Sequence, residues 1–288
     1  MLLYVNYCIV IILMKYLIAP NQSASIETGF VLPSHLAADI DDAMGDRADV
    51  ISAETGLPVY TYVRPGTGTL PAIDKLESID DYLDSIKKQA HVIKQQFNEY
   101  GVDKMILVGN SAGGIDAIAL AASGILNVTQ LIVMEPVATR EVDKVDGLRY
   151  FKSQQDKTRE ELYDPEFDSL PNIPAIRKSI TRPEIIRRSF KEIKAYNHVF
   201  SSDLGLHLLR GLVTDRPEVP IDLFLGARSL ATTETTRANM EVEFEGTSLN
   251  LEIFPGGQHS FPNKLNFFVH IIKRAMARVQ DIPNLNEA

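Results

Sequence analysis

Short apolar runs, each closed by glycine or proline and followed by a helix-spaced segment, recur along this chain. Met105-Ile106-Leu107-Val108 is one, with the small-residue segment Ile115–Ala122 behind it; Leu131–Met134, Pro220–Gly226 and Leu249–Phe254 are others, and Pro58–Tyr62 is a shorter one upstream. Apolar runs of four to eight residues bounded by turn residues are the pattern of strands buried on both faces, and parallel sheets alternate such strands with helices. Lys15–Ala19 reads as the first strand, running into Pro20–Ser25 and a helix around Ser34–Met44. Ser78-Ile79-Asp80-Asp81 has the form of a capping box, and Ile79, Leu83, Ile86, Ala90, Ile93 and Phe97 recur at helical spacing up to Gly101, a helix-ending glycine. His91 falls off that stripe and is expected in solvent. A terminal amphipathic helix carries Leu265, Phe268, Ile272, Ala275 and Val279.

Between Val137 and about Pro217 the pattern is helical, charged and irregular. Thr181-Arg182-Pro183-Glu184 starts one helix there, with Ile185, Ile186, Phe190 and Ile193 as its apolar face. The predicted fold is therefore α/β, a mostly parallel doubly wound sheet: residues 15–136 and 218–288 form the core, 137–217 a helical insertion, and 1–14 an apolar N-terminal extension.

At 288 residues and 45% apolar content the chain can fill such a core. Its single cysteine, Cys8, excludes an internal disulfide. A net charge of −9 argues against nucleic acid as a partner. No metal-ligand cluster stands out, so neither a metal nor an organic cofactor is expected. Residues 1–14 are too short for a membrane span and lack a basic leader region, which favours a dispensable extension on a cytoplasmic protein, with Met14-Lys15 a second start site. Membrane contact or secretion would have to come through this segment; Ser23-Ala24-Ser25 is small enough for cleavage.

The candidate chemistry lies after Val108. Gly109-Asn110-Ser111-Ala112-Gly113-Gly114 joins a buried strand to a helix and puts a serine between glycines. A sharp strand-to-helix turn of this kind strains the serine, lifts Oγ out of the sheet and aims the first helical N–H groups, led by that of Ala112, at an oxyanion beside it. With this turn the chain resembles the α/β-hydrolase superfamily.

The resemblance implies a nucleophile–acid–histidine order, here Ser111, Glu135 and His259. Glu135 ends the Leu131–Met134 strand and lies 24 residues after Ser111; that interval and the Met-Glu ending look like the haloalkane-dehalogenase branch, whose acid follows this strand. The branch has an Asp nucleophile where this chain has Ser111, so dehalogenation is not implied. Most members of the superfamily carry the acid three residues after the glycine equivalent to Gly226, but that residue here is Ser229; Asp222 and Glu234 are the second and third choices. His259 stands in Pro255-Gly256-Gly257-Gln258-His259, just past the last strand, where the family places its base; His198, His207 and His270 fall in helical pattern and are weaker candidates. The family's second oxyanion donor follows an early strand in a His-Gly segment. Ala19-Pro20 stands there in this chain, leaving Asn21 as the donor or as part of a plain turn.

These residues imply hydrolysis of a carboxylic ester, thioester or lactone of a small-molecule acyl substrate, through an acyl-enzyme. The Gly-Asn-Ser-x-Gly-Gly form also resembles enzymes that hydrolyse carbon–carbon bonds, and a non-catalytic ligand-binding protein of the same fold is the alternative from another class. Residues 137–217 correspond to the family's cap, with Tyr150, Phe151, Phe190 and Tyr196 expected to line an acyl pocket. The seven basic and two acidic residues of Arg177–Lys194 read as a solvated helix face or as an anion-attracting cap.

Overall fold

In the computed structural model the described residues are 27–34, 43–64, 78–139, 170, 173, 182–229, 231–257, 259, 262 and 264–280. The extension 1–14, the strand expected at Lys15–Ala19, Asn21, Tyr150, Phe151 and the first part of the basic stretch lie outside them.

Among the described residues six strands form one parallel sheet: β1 Thr28–Pro33, β2 Val59–Tyr62, β3 Lys104–Asn110, β4 Val128–Met134, β5 Ile221–Gly226 and β6 Leu249–Phe254, in the order β2-β1-β3-β4-β5-β6. From β1 the described strands run to the β2 edge, return to β3 and proceed to the β6 edge. This is the doubly wound arrangement expected from the alternating pattern.

Side chains on each inner strand alternate between two cores. Val31, Leu107, Leu131 and Val133 point to the face covered by α2 (Ile79–Glu99), α3 (Ala112–Ala122), α5 (Leu204–Asp215) and α6 (Glu234–Glu243). Phe30, Leu32, Ile106, Val108, Ile132 and Met134 point to the other face, against α1 (Ala43–Thr55) and α7 (Leu265–Gln280). The central strands thus read as unbroken apolar runs because both of their faces are covered.

Helix α2 starts at the expected capping box: Ser78 Oγ accepts from Asp81 N–H at 3.1 Å, and Asp81 accepts from Ser78 N–H at 3.1 Å. Ile86, Ala90, Ile93 and Phe97 are buried on its inner face, Gly101 follows with φ +74°, and His91 is exposed. Of the helix expected at Ser34–Met44, residues 35–42 lie outside the described ones; Ser34 follows β1, and Ala43 and Met44 open α1. Its buried face mixes Met44, Ala48 and Ile51 with Asp46, Arg47 and Ser52, so the apolar stripe that would have marked it is interrupted by polar residues.

Helix α4, Arg182–Phe200, follows the expected start, but its inner face differs. Phe190 is 58% exposed, while Arg188, Ser189, Glu192, Tyr196 and Val199 are buried. The inward face is partly charged because the fully buried Arg64 lies opposite it. Phe190 is largely exposed, and Tyr196 packs on Tyr82 and Phe200. Helix α5 packs on α3, its Gly205 N–H donating to Ala138 O at 2.7 Å. No helix among the described residues is long and apolar enough to cross a membrane.

Candidate active site

Parallel alignment brings the ends of β3, β4 and β5 to one edge of the sheet, where a residue just past each strand can meet the others. After Asn110 the backbone turns through Ser111, which has φ 54° and ψ −121°. This left-handed region is costly for a residue with a side chain, by roughly 1–3 kcal/mol, and the surroundings hold it. Ser111 N–H donates to Met134 O at 3.0 Å, and Ser111 O accepts from Gly114 N–H at 2.9 Å and Val137 N–H at 3.3 Å.

The two flanking glycines are required by close approach. A Cβ on Gly109 would collide with Gly113 O and lie 2.7 Å from Gly114 Cα; one on Gly113 would lie 2.5 Å from Pro33 O. Asn110 is also fixed, its amide donating to Met134 O at 3.3 Å and its oxygen accepting from Arg47 at 3.4 Å. The same Arg47 donates to Pro262 O at 2.8 Å, tying the turn before Ser111 to the segment just past His259. Burial pushes the Arg47 pKa down to about 9, a measure of how dry this junction is.

Ser111 Oγ is 2.9 Å from His259 Nε2, and His259 Nδ1 is 3.1 Å from Glu135 Oε2. A carboxylate only accepts, so Nδ1 carries the proton and Nε2 is left to accept from the serine hydroxyl. Glu135 is fully buried and has φ 48°, a second left-handed residue at a strand end. Three donors meet its two oxygens: Gly226 N–H on Oε1, and Ser229 Oγ–H and His259 Nδ1–H on Oε2. Its own N–H is paired with Phe224 O at 2.9 Å.

The loop that supplies two of these donors is itself clamped by Arg237, whose guanidinium donates to the carbonyls of Gly226, Ala227, Ser229 and Thr232. The other acid candidates stand elsewhere. Asp222 accepts from Gln130 at 2.9 Å, Asn250 at 3.2 Å and Arg278 at 2.8 Å beneath α7, and Glu234 is exposed on α6.

Ala112 is the first residue of α3, so its N–H is one of those a helix leaves without an internal acceptor. The strand beside β3 on the side away from Glu135 is β1, ending at Pro33, and its continuation packs on Gly113. Sequence reasoning missed β1, the support that Ser229 gives Glu135, and the Arg47 tie; the position of Ser229 three residues past Gly226 was the one local signal for any of them. Among the described residues no group of three or more His, Cys, Asp or Glu side chains is placed to hold a metal ion.

No protein-family model matches the sequence, and a search of curated proteins finds no match. Solved structures do resemble the fold. A lipase-esterase related protein from Clostridium acetobutylicum superposes with a TM-score of 0.59 at 16% identity over 91% of this chain and 99% of that one. A carboxylesterase from Bacillus subtilis gives 0.55 at 13% identity, over 91% and 85% of the two chains. An N-formylmaleamic acid deformylase from Pseudomonas putida gives 0.54 at 14% identity, over 85% and 91%. At such identities the likeness is one of fold.

Proposed function

Taking the α/β-hydrolase fold of this chain as the premise, we propose that it is a serine hydrolase that cleaves a carboxylic ester, thioester or lactone. The observation that carries the proposal is the unbroken chain of contacts from Ser111 Oγ through both ring nitrogens of His259 to Glu135, with Ser111 at the N-terminus of α3.

In this reading His259 Nε2 takes the proton from Ser111 as Oγ attacks the carbonyl carbon. Glu135 holds the tautomer and stabilises the imidazolium, and Ala112 N–H binds the tetrahedral oxyanion. The imidazolium then gives its proton to the leaving alcohol or thiol, and an acyl-serine remains. Water, deprotonated by His259, releases the acid. Comparable bases contribute about 10²–10⁴-fold and single oxyanion donors about 10²–10³-fold.

Glu135 is held for this work by donors alone, which keeps its acceptor face towards Nδ1. The left-handed φ at Ser111 supports the same reading, since strained residues at ligand-facing turns are characteristic of functional sites. A binding protein without turnover would have no use for a serine, a histidine and a buried carboxylate in hydrogen-bond sequence.

Residues 137–217 are proposed to cap the site; of the helices in that span, α5 packs on α3. The similar structures include a carboxylesterase and a lipase-esterase related protein, which favours esters among the substrates. The test is a panel of p-nitrophenyl esters, thioesters and lactones assayed with wild type and Ser111→Ala. Turnover by wild type, absent in a Ser111→Ala protein with unchanged circular dichroism and Tm, is the expected result. Equal turnover by both would remove the serine from the mechanism.

A further inference from the structure

Among the described residues, a heavily charged buried cluster outside the Ser111–His259–Glu135 chain centres on Arg64, just past β2. Its side chain is 1% exposed and its partners Asp116 and Glu192 are 0% exposed. Nη1 donates to Ser34 O at 2.7 Å and to Asp116 Oδ2 at 2.7 Å, and Nη2 donates to Glu192 Oε2 at 3.0 Å. Tyr82 Oη, from α2, donates to the remaining oxygen of Asp116 at 2.8 Å. Burial works against the guanidinium charge, but Asp116 and Glu192 outweigh it and hold the Arg64 pKa above its ordinary range. One cation thus joins the end of β1, helix α3 and helix α4.

Two of those elements meet beside the nucleophile. Asp116 is one helical turn beyond Ala112, and Pro33 O and Ser34 O lie directly against Gly113, where an added Cβ would be 2.5 Å and 3.0 Å from them. The end of β1 therefore borders the same first turn of α3 that presents the Ala112 N–H. Ser34 is fixed from both sides, its N–H donating to Tyr62 O at 3.0 Å and its carbonyl accepting from Arg64. A planar fork that bonds the Ser34 carbonyl and Asp116 through the same nitrogen sets the spacing between these two backbone segments. A lysine would have to reach all three acceptors from one nitrogen, where the arginine divides them between Nη1 and Nη2. Buried ion pairs are weak contributors to stability when compared with apolar packing, so a role in geometry gives this one a reason to exist.

We propose that Arg64 is a positioning residue, whose fork fixes the first turn of α3 against the end of β1 and so sets the geometry of the site that receives the substrate's carbonyl oxygen. The inference rests on the serine-hydrolase reading given above. Through Glu192 the same residue fastens α4, so a helix of the proposed cap is held to the nucleophile helix by one side chain.

The test is Arg64→Lys in the full chain, with a p-nitrophenyl ester as substrate and an alkyl trifluoromethyl ketone as a probe that binds by forming an oxyanion. A misplacement of about 1 Å in such a site costs up to about 10²-fold. Arg64→Lys should therefore lower kcat about 10- to 100-fold with KM within about threefold, and weaken ketone binding by the same factor as kcat/KM. Unchanged kcat and ketone affinity, with only a lower Tm, would make Arg64 a structural residue and overturn the proposal.

If Arg64→Lys does not fold, Tyr82→Phe decides, because it removes one hydrogen bond from Asp116 without leaving a buried charge alone. A fall of about three- to tenfold in both readouts supports the proposal, and no change overturns it. A wild-type protein that neither turns over the ester nor binds the ketone refutes the hydrolase reading and this role with it. Wild-type turnover with a silent Arg64→Lys refutes this role alone.

Discussion

Substituting Gly113 by alanine sets helix propensity against packing at the turn that carries Ser111. Within a helix, Gly→Ala normally gains up to about 1 kcal/mol. At position 113 the new Cβ would stand 2.5 Å from Pro33 O and 3.1 Å from Pro33 C, and ordinary contact begins near 3.4 Å, so α3 and the end of β1 must separate by about 0.9 Å. Both sides of this contact are backbone, and no rotamer change relieves it. Overpacking of this kind costs about 1–3 kcal/mol, which exceeds the propensity gain. Gly211, in α5, supplies the control, since its nearest neighbour would be Asp215 Oδ2 at 4.0 Å. Gly211→Ala should therefore stabilise by about 0.5–1 kcal/mol, and Gly113→Ala should destabilise by about 1–2 kcal/mol. For a chain of this size each kcal/mol moves Tm by about 2–4 °C, so the two variants should depart from wild type in opposite directions. The chain has no tryptophan, and urea or thermal unfolding is best followed by far-UV circular dichroism. Ester turnover by Gly113→Ala should also fall, by up to about 10²-fold, because the displaced turn carries the nucleophile. A Gly113→Ala protein as stable and as active as Gly211→Ala would refute the packing argument.

Three further outcomes follow from the site. Glu135→Gln should keep the fold and lower kcat by about 10²–10⁴-fold, since an amide permits the wrong imidazole tautomer and cannot stabilise its cation; steady-state kinetics on a p-nitrophenyl ester measure it. Ser229→Ala should lower kcat/KM by about tenfold in the wild-type background and have no further effect in Glu135→Gln; full additivity in that double-mutant cycle would show that Ser229 does not act through Glu135. Asp222→Ala leaves Gln130, Asn250 and Arg278 without their common acceptor, so it should cost about 3 kcal/mol in urea unfolding while the remaining folded enzyme keeps its kcat.

What the sequence made legible was whatever the backbone demanded locally. Gly109 is forced by contacts with Gly113 and Gly114, the capping box before α2 closes on itself, and the strands buried on both faces announce themselves as apolar runs. Glu135 and His259 stand out because each follows such a strand, and the fold brings them within 3.1 Å of each other. What stayed hidden depends on partners far along the chain. Strand β1 offers only Phe30-Val31-Leu32 between Gly29 and Pro33, and it is a strand because β2 and β3 pair with it on both sides. The buried faces of α1 and α4 carry Arg47, Arg188 and Glu192, which read as surface residues until the groups they meet are known. Arg64 meets Asp116 and Glu192 across 52 and 128 residues, a separation at which no local pattern survives. Ser229 stands where the superfamily's acid is expected, and it donates to Glu135, just past the neighbouring strand.

The central claim is that Ser111 is a nucleophile activated by His259, and covalent labelling tests it most directly. The protein should be incubated with a fluorophosphonate probe, digested and mapped by mass spectrometry, alongside Ser111→Ala and His259→Ala. One adduct is expected, on Ser111, formed rapidly in wild type, absent in Ser111→Ala and slowed by orders of magnitude in His259→Ala. A folded wild-type protein that takes up no probe at Ser111, or one labelled equally fast without His259, would contradict it.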